Sequence, residues 1–208
     1  MKHRLALAVA IALASAAAPA LAQTSTQAPS AVNNQANPLF ADSPLPLHYP
    51  QFDKIKDSDF APAFDRGMAE QMQEINAIAN SRSAPTFENT IVPMEKSGQL
   101  LTRANTIFQN LSGADTNDAR DKLDEEYSPK FAAHFDAIYL NGPLFKRVEK
   151  IYEGRDKLDA ESKRLVEEYY KDFVRAGAKL TDAQQVRVKA INAELASLGA
   201  KFSQNVLK

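Results

Sequence analysis

TDAQQVRVKAINAELASLGAKFSQNV, Thr181 to Val206, is the stretch that decides the fold class. Thr181 and Gln184 stand in the S/T-x-x-E/Q relation, where each side chain can bond the other residue's backbone N–H at a helix start. Val188, Ile191, Leu195, Leu198 and Phe202 follow at alternating steps of four and three, one stripe of a 3.6-residue period. At about 1.5 Å per residue the segment exceeds ~35 Å, long for a small domain. Phe202, Val206 and Leu207 still keep helical step at Lys208, with no Gly cap and no following Pro. The expectation is a helix that the sequence interrupts rather than ends.

The same period runs upstream. Phe60, Phe64, Met68, Met72, Ile75 and Ile78 mark one helix, with Asp57 or Ser58 as its cap. Thr86 opens a second, striped by Phe87, Ile91, Met94, Leu100 or Leu101, Ile107 and Leu111 and bent at Pro93 and Gly98. Thr116 or Asn117 opens a third, with Leu123, Tyr127, Phe131, Phe135 and Ile138 inward and a kink at Pro129. Asn141-Gly142-Pro143 starts a short helix that Gly154 stops. Asp159 caps one with Leu165, Val166, Tyr169, Phe173 and Val174 inward, stopped by Gly177. No alternating apolar pattern and no hairpin dipeptide suggests a strand. The fold class is all-α.

Lys2, His3 and Arg4 precede a nearly unbroken apolar run, Leu5 to Ala18, and Ala20-Leu21-Ala22 supplies a small-x-small cleavage pattern. Residues 1–22 therefore read as a secretory signal peptide, too short for a membrane span, which places the mature chain in the periplasm or outside the cell. Removing 22 of 208 residues leaves 186, enough for one domain with a core. The cut takes two of 25 basic residues, leaving 23 against 26 acidic, with no basic run to bind phosphates. Nucleic acid and, after cleavage, membrane are excluded as partners. The chain has no cysteine, so packing alone must stabilise it. Residues 23–36, rich in Gln, Ser, Thr and Asn, read as a disordered linker, and residues 37–56 as an extended Pro-rich arm lying on the helical body from residue 57.

Little in this inventory carries chemistry. His48 and His134 are the two histidines left after export, and no H-E-x-x-H occurs. Each histidine reads as surface or packing. Glycines never cluster into a phosphate loop. Asp124-Glu125-Glu126 and Glu167-Glu168 read as solvated helix faces, and Tyr169-Tyr170 as core packing. Asn110-Leu111-Ser112 matches a glycosylation sequon inside what reads as a buried helix. No catalytic, cofactor-binding or metal-binding residue is assigned, and composition and spacing alone stop at a secreted helical domain.

The segments FDKIKDSDFAPAFDRGM, PTFENTIVPMEKSGQLL, HFDAIYLNGPLF, EEYYKDFVRAGAKL and INAELASLGAKFSQNV, in this order, resemble the N-terminal region of the thimet-oligopeptidase-like zinc peptidases. The likeness leans to the bacterial peptidyl-dipeptidase branch and covers 37–208. It implies a two-lobed helical metallopeptidase around a deep channel, a hydrolase that takes C-terminal dipeptides from short unfolded peptides. The resemblance also implies a zinc ion held by an H-E-x-x-H helix and a further Glu, all downstream of the matched region. Residues 57–208 would then be a truncated N-terminal domain forming channel wall, partnered by its own missing C-terminal catalytic region, binding no zinc and inactive alone. A stand-alone secreted module that binds peptides or proteins without catalysis is the alternative.

Overall fold

The computed structural model describes residues 37–207; the signal peptide expected over residues 1–22 and the linker expected over 23–36 lie outside them. Seven α-helices follow in order: α1 Phe60–Ala79, α2 Val92–Lys96, α3 Gln99–Ala114, α4 Asp118–Tyr139, α5 Gly142–Glu153, α6 Ala160–Ala176 and α7 Asp182–Leu207. No strand occurs among the described residues, so the fold class is all-α as the periodicity implies.

Capping chemistry sets most of the boundaries. The Asn117 carboxamide accepts from the N–H groups of Ala119 and Arg120, and the Asn141 carboxamide from Leu144. The Asp159 carboxylate accepts from Glu161 and Ser162. Thr181 N–H donates to Gln184 Oε1 at 3.0 Å while Gln184 N–H donates back to Thr181 Oγ1 at 3.4 Å, the reciprocal box its spacing implies. Gly177 ends α6 at φ +106°, a backbone conformation that favours glycine.

Two expectations need correction at the starts of helices. Asp57 does not cap α1; its carboxylate takes the Arg120 guanidinium at 3.2 Å and the Asn117 amide at 2.9 Å, tying this turn to the start of α4. Asp59 instead accepts the N–H of Lys56 at 2.8 Å. The single bent helix expected from Thr86 is three pieces: a π-helical turn Phe87–Ile91, then α2, then α3 after a break at Ser97-Gly98. Gly98 sits at φ +71°, and its N–H donates to Glu74 Oε2 on α1 at 2.8 Å. A contact 24 residues away in sequence sets that break. α4 runs unbroken through Pro129.

Helix α1 spans two apolar clusters. Its first half, with Phe60, Ala63 and Phe64, joins Leu39 of the arm, Leu101, Ala104 and Phe108 of α3, and Tyr127 of α4. Its second half, with Ile75 and Ile78, joins Ile91, Met94, Ile138, Val148, Val166 and Phe173. Gly67 lets α1 and α3 touch, since a Cβ there would lie 2.8 Å from the Leu101 backbone. Phe135 and Val174, expected to face inward, are exposed. So are Ile191, Leu195, Leu198 and Phe202 of the α7 stripe, with Val188 half-buried, because α7 turns a different side to α4. No helix among the described residues is long and apolar enough to cross a membrane.

Candidate functional surfaces

The PTFENT segment is built around a buried cation. Arg147 on α5 is 6% exposed, and none of its partners is a carboxylate. Its Nε and Nη2 donate to Thr90 Oγ1 at 3.2 and 3.0 Å, and Nη2 donates to Asn89 Oδ1 at 2.8 Å. Nη1 donates to the carbonyls of Ser81 and Ser83 at 3.2 and 2.9 Å. Asn89 Oδ1 also accepts from Thr86 N–H and the Thr90 hydroxyl, each at 2.9 Å. The motif is thus an acceptor set that satisfies a guanidinium without a counter-charge. Sequence reasoning did not single out Arg147. The polar pair Asn89-Thr90 among the apolar residues of a helix start was the one signal that a donor was needed.

His134 and His48 are far apart in role. His134 is buried on α4 with Nε2 2.7 Å from Gln71 Oε1, which accepts the ring N–H. Burial pushes its pKa below the usual 6.5. A depressed histidine leaves the unfolded chain binding more protons as pH falls, so stability should decline on acidification from about 6.5 through the lower folded value. In urea melts between pH 5 and 8, His134→Gln should flatten that slope; an unchanged slope would remove His134 from the account. His48 lies exposed on the arm, its Nδ1 3.0 Å from Ser43 O.

The carboxylate runs resolve individually. Asp124 is half-buried, accepts from Ser128 at 3.0 Å, and has its pKa raised by burial despite that bond. Glu167 takes Arg155, while Glu168 takes Lys171 and Arg164 and sits below its usual pKa, chiefly through the Lys171 bond. Tyr170 stacks on Tyr152 at 3.8 Å and accepts from Lys179; Tyr169 donates to Glu95. Both pack against the second cluster. Asn110 is exposed on α3 rather than buried, and its Nδ2 donates to Thr106 O at 2.7 Å.

Two recesses exist. One, of about 470 Å³, lies between the arm and α3, lined by Leu39, Pro44, His48, Ile55, Arg103 and Ile107. Beside it Leu47 and His48 both hold positive φ, and Leu47 points wholly into solvent. The other, about 530 Å³, lies among α3, α4 and α7, where Ser112 Oγ and Arg120 Nε are buried without partners. In the first, His48 Nδ1 meets the Ser43 carbonyl rather than its hydroxyl, and in the second, Ser128 donates to Asp124 with no histidine in the lining. Among the described residues no three His, Cys, Asp or Glu side chains are placed to hold a metal ion.

Comparison with curated proteins supplies what the geometry lacks. Over 173 residues, 82% of this chain, it is 44% identical to dipeptidyl carboxypeptidase of Escherichia coli K12 and covers 25% of that protein. These matches fit the thimet-oligopeptidase-like family. Organellar oligopeptidase A of Arabidopsis thaliana is 27% identical over 83% of this chain, and oligopeptidase A of E. coli 22% over 82%. No protein-family model matches the chain. It spans about a quarter of the length of the thimet-oligopeptidase-like relatives it matches.

Proposed function

We propose that these residues form the N-terminal, channel-wall region of an exported zinc peptidase that removes C-terminal dipeptides from short unfolded peptides. The observation that carries this is the 44% identity with dipeptidyl carboxypeptidase over 82% of the chain, well above the 22% with oligopeptidase A. Export to the periplasm is supported by the basic start, apolar run and Ala20-Leu21-Ala22 pattern of residues 1–22. Zinc in such a peptidase would polarise the scissile carbonyl and make a bound water nucleophilic.

The residues described here do not fit that ion. Zinc in catalytic sites takes three protein ligands, most often histidines with a carboxylate. His134 is buried and committed to Gln71, and His48 sits alone on the arm. No step of hydrolysis is therefore assigned to this chain. Its task is positioning: a wall whose buried Arg147 network and aromatic cluster hold helices rigid beside the peptide path. Rigid placement of substrate is itself a large part of catalysis.

Equilibrium dialysis followed by metal analysis should find less than 0.1 equivalent of zinc on the purified 208-residue chain, roughly the background of a protein without a three-ligand site. A quenched-fluorescent oligopeptide should remain uncut by it. Stoichiometric zinc, or hydrolysis that a chelator stops, would overturn the assignment.

A further inference from the structure

Helix α7 is two-faced in an unusual sense. The side it turns to α4 is small and polar: Ala193, Ala196, Ser197, Ala200 and Gln204. Asn192 Nδ2 donates to Asp136 Oδ1 at 2.7 Å and Gln204 Nε2 to Asp121 O at 2.8 Å, so the two helices run antiparallel. At 100° per residue the large apolar side chains fall on the opposite side. Ile191, Leu195, Leu198, Phe202 and Val206 are 38, 60, 54, 71 and 68% exposed. Soluble monomers rarely leave so continuous an apolar strip in water.

We propose that this stripe is one half of a helix–helix seam, and that its other half is an amphipathic helix in the part of the peptidase chain lying outside these 208 residues. This rests on the peptidase reading above. Three observations select that occupant. The relatives are about four times as long as the region matched, so the family chain has ample further length to cover the face. Val188, Ile191, Leu195, Leu198 and Phe202 alternate steps of three and four, the seven-residue repeat that packs against another helix at about 20° rather than against a flat surface. The stripe from Val188 to Val206 spans ~27 Å, which calls for a partner of about five turns.

Charge narrows the partner further. Arg187, Glu194 and Lys201, all exposed, line one edge of the stripe at seven-residue intervals. Asn192, Gly199 and Ser203 line the other without charge. The docking helix should therefore carry acidic, basic and acidic residues at the same interval along one flank and small uncharged residues along the other.

The chain has no cysteine, so an introduced thiol is its only one. The test compares Leu195→Cys, Leu198→Cys and a control outside the stripe, Val186→Cys, in two settings. One is the 208-residue chain; the other is a full-length chimera in which residues 37–207 replace the matched region of the E. coli dipeptidyl carboxypeptidase. Maleimide labelling, located by tryptic peptide mass, should be fast at all three positions in the chain alone. In the chimera, positions 195 and 198 should slow by about tenfold or more, with 186 unchanged. Equal rates in both settings would overturn the proposal. So would slow, concentration-dependent labelling of 195 and 198 in the chain alone, which would make a second copy the occupant.

Peptidase assay of the same chimera separates the two readings. Protected thiols without peptide hydrolysis would count against the peptidase and leave the seam; hydrolysis with unprotected thiols would do the reverse. A second measurement needs no chimera. The 208-residue chain should bind an apolar fluorescent dye several-fold more than its Leu195→Lys, Phe202→Lys variant, with unchanged helical circular dichroism. Equal dye binding by the two would overturn the open stripe.

Discussion

Replacing Arg147 with Met is expected to destabilise the chain by about 3–5 kcal/mol, read as the shift in urea midpoint at constant slope. Met matches the stem of the side chain but none of its donors. Thr90 Oγ1 and the Ser81 and Ser83 carbonyls then lose their guanidinium partners, and Asn89 Oδ1 loses one of three donors. Thr90 is fully buried, and a buried acceptor left unpaired costs roughly 1–3 kcal/mol; the lesser losses at the Ser81 and Ser83 carbonyls and at Asn89 add to it. Arg147→Lys is the sharper variant. It keeps the charge but offers three donors from one atom instead of five in a planar fork, and cannot reach both the Ser83 carbonyl and Asn89. It should recover less than half of the loss. Full recovery by Lys would mean that charge, not the fork, holds the loop to α5.

Phe64→Ala should cost a similar amount by a different route. The ring is fully buried, with Phe108, Tyr127 and Phe131 centroids 5.4, 5.1 and 5.0 Å away and Phe60 at 5.9 Å. Removing it takes away a buried aromatic side chain and opens a void that three helices cannot all close. Such changes cost about 3–5 kcal/mol. Leu198→Ala on the outward stripe of α7 should move the chain's stability by less than about 0.5 kcal/mol, because its side chain is already half in water. A large loss at Leu198 in the chain alone would show that α7 packs with its other face inward.

These contrasts mark what the amino-acid order could and could not reveal. Local chemistry was legible: Asn117, Asn141, Asp159, Thr181 with Gln184, and Gly177 bound the helices their types suggest. Each of those signals is complete within four residues. The break at Gly98 was read as a bend because its determinant, Glu74, lies one helix earlier. Asp57 was read as a cap because its true partner, Arg120, lies 63 residues on. Periodicity located the apolar stripe of α7 but not its direction, since a stripe shows which residues seek burial and not whether a neighbour is present. Phe135 and Val174 failed for the same reason.

The functional surface was legible only through resemblance. Among the described residues no three His, Cys, Asp or Glu side chains gather to hold a metal ion, so spacing and charge carried no sign of metal-assisted hydrolysis. What the structure adds is a physical reason for one recognisable motif. Asn89 and Thr90 of PTFENT are acceptors for the buried guanidinium of Arg147, which stands 58 and 57 residues downstream.

The most direct measurement is the mass spectrum of products released from one unstructured peptide of known sequence, incubated in parallel with the 208-residue chain and with the full-length chimera. The account predicts that the chimera shortens the peptide by successive C-terminal dipeptides and that the chain alone leaves it intact. Dipeptides released by the chain alone, or a folded chimera that cuts nothing, would contradict it.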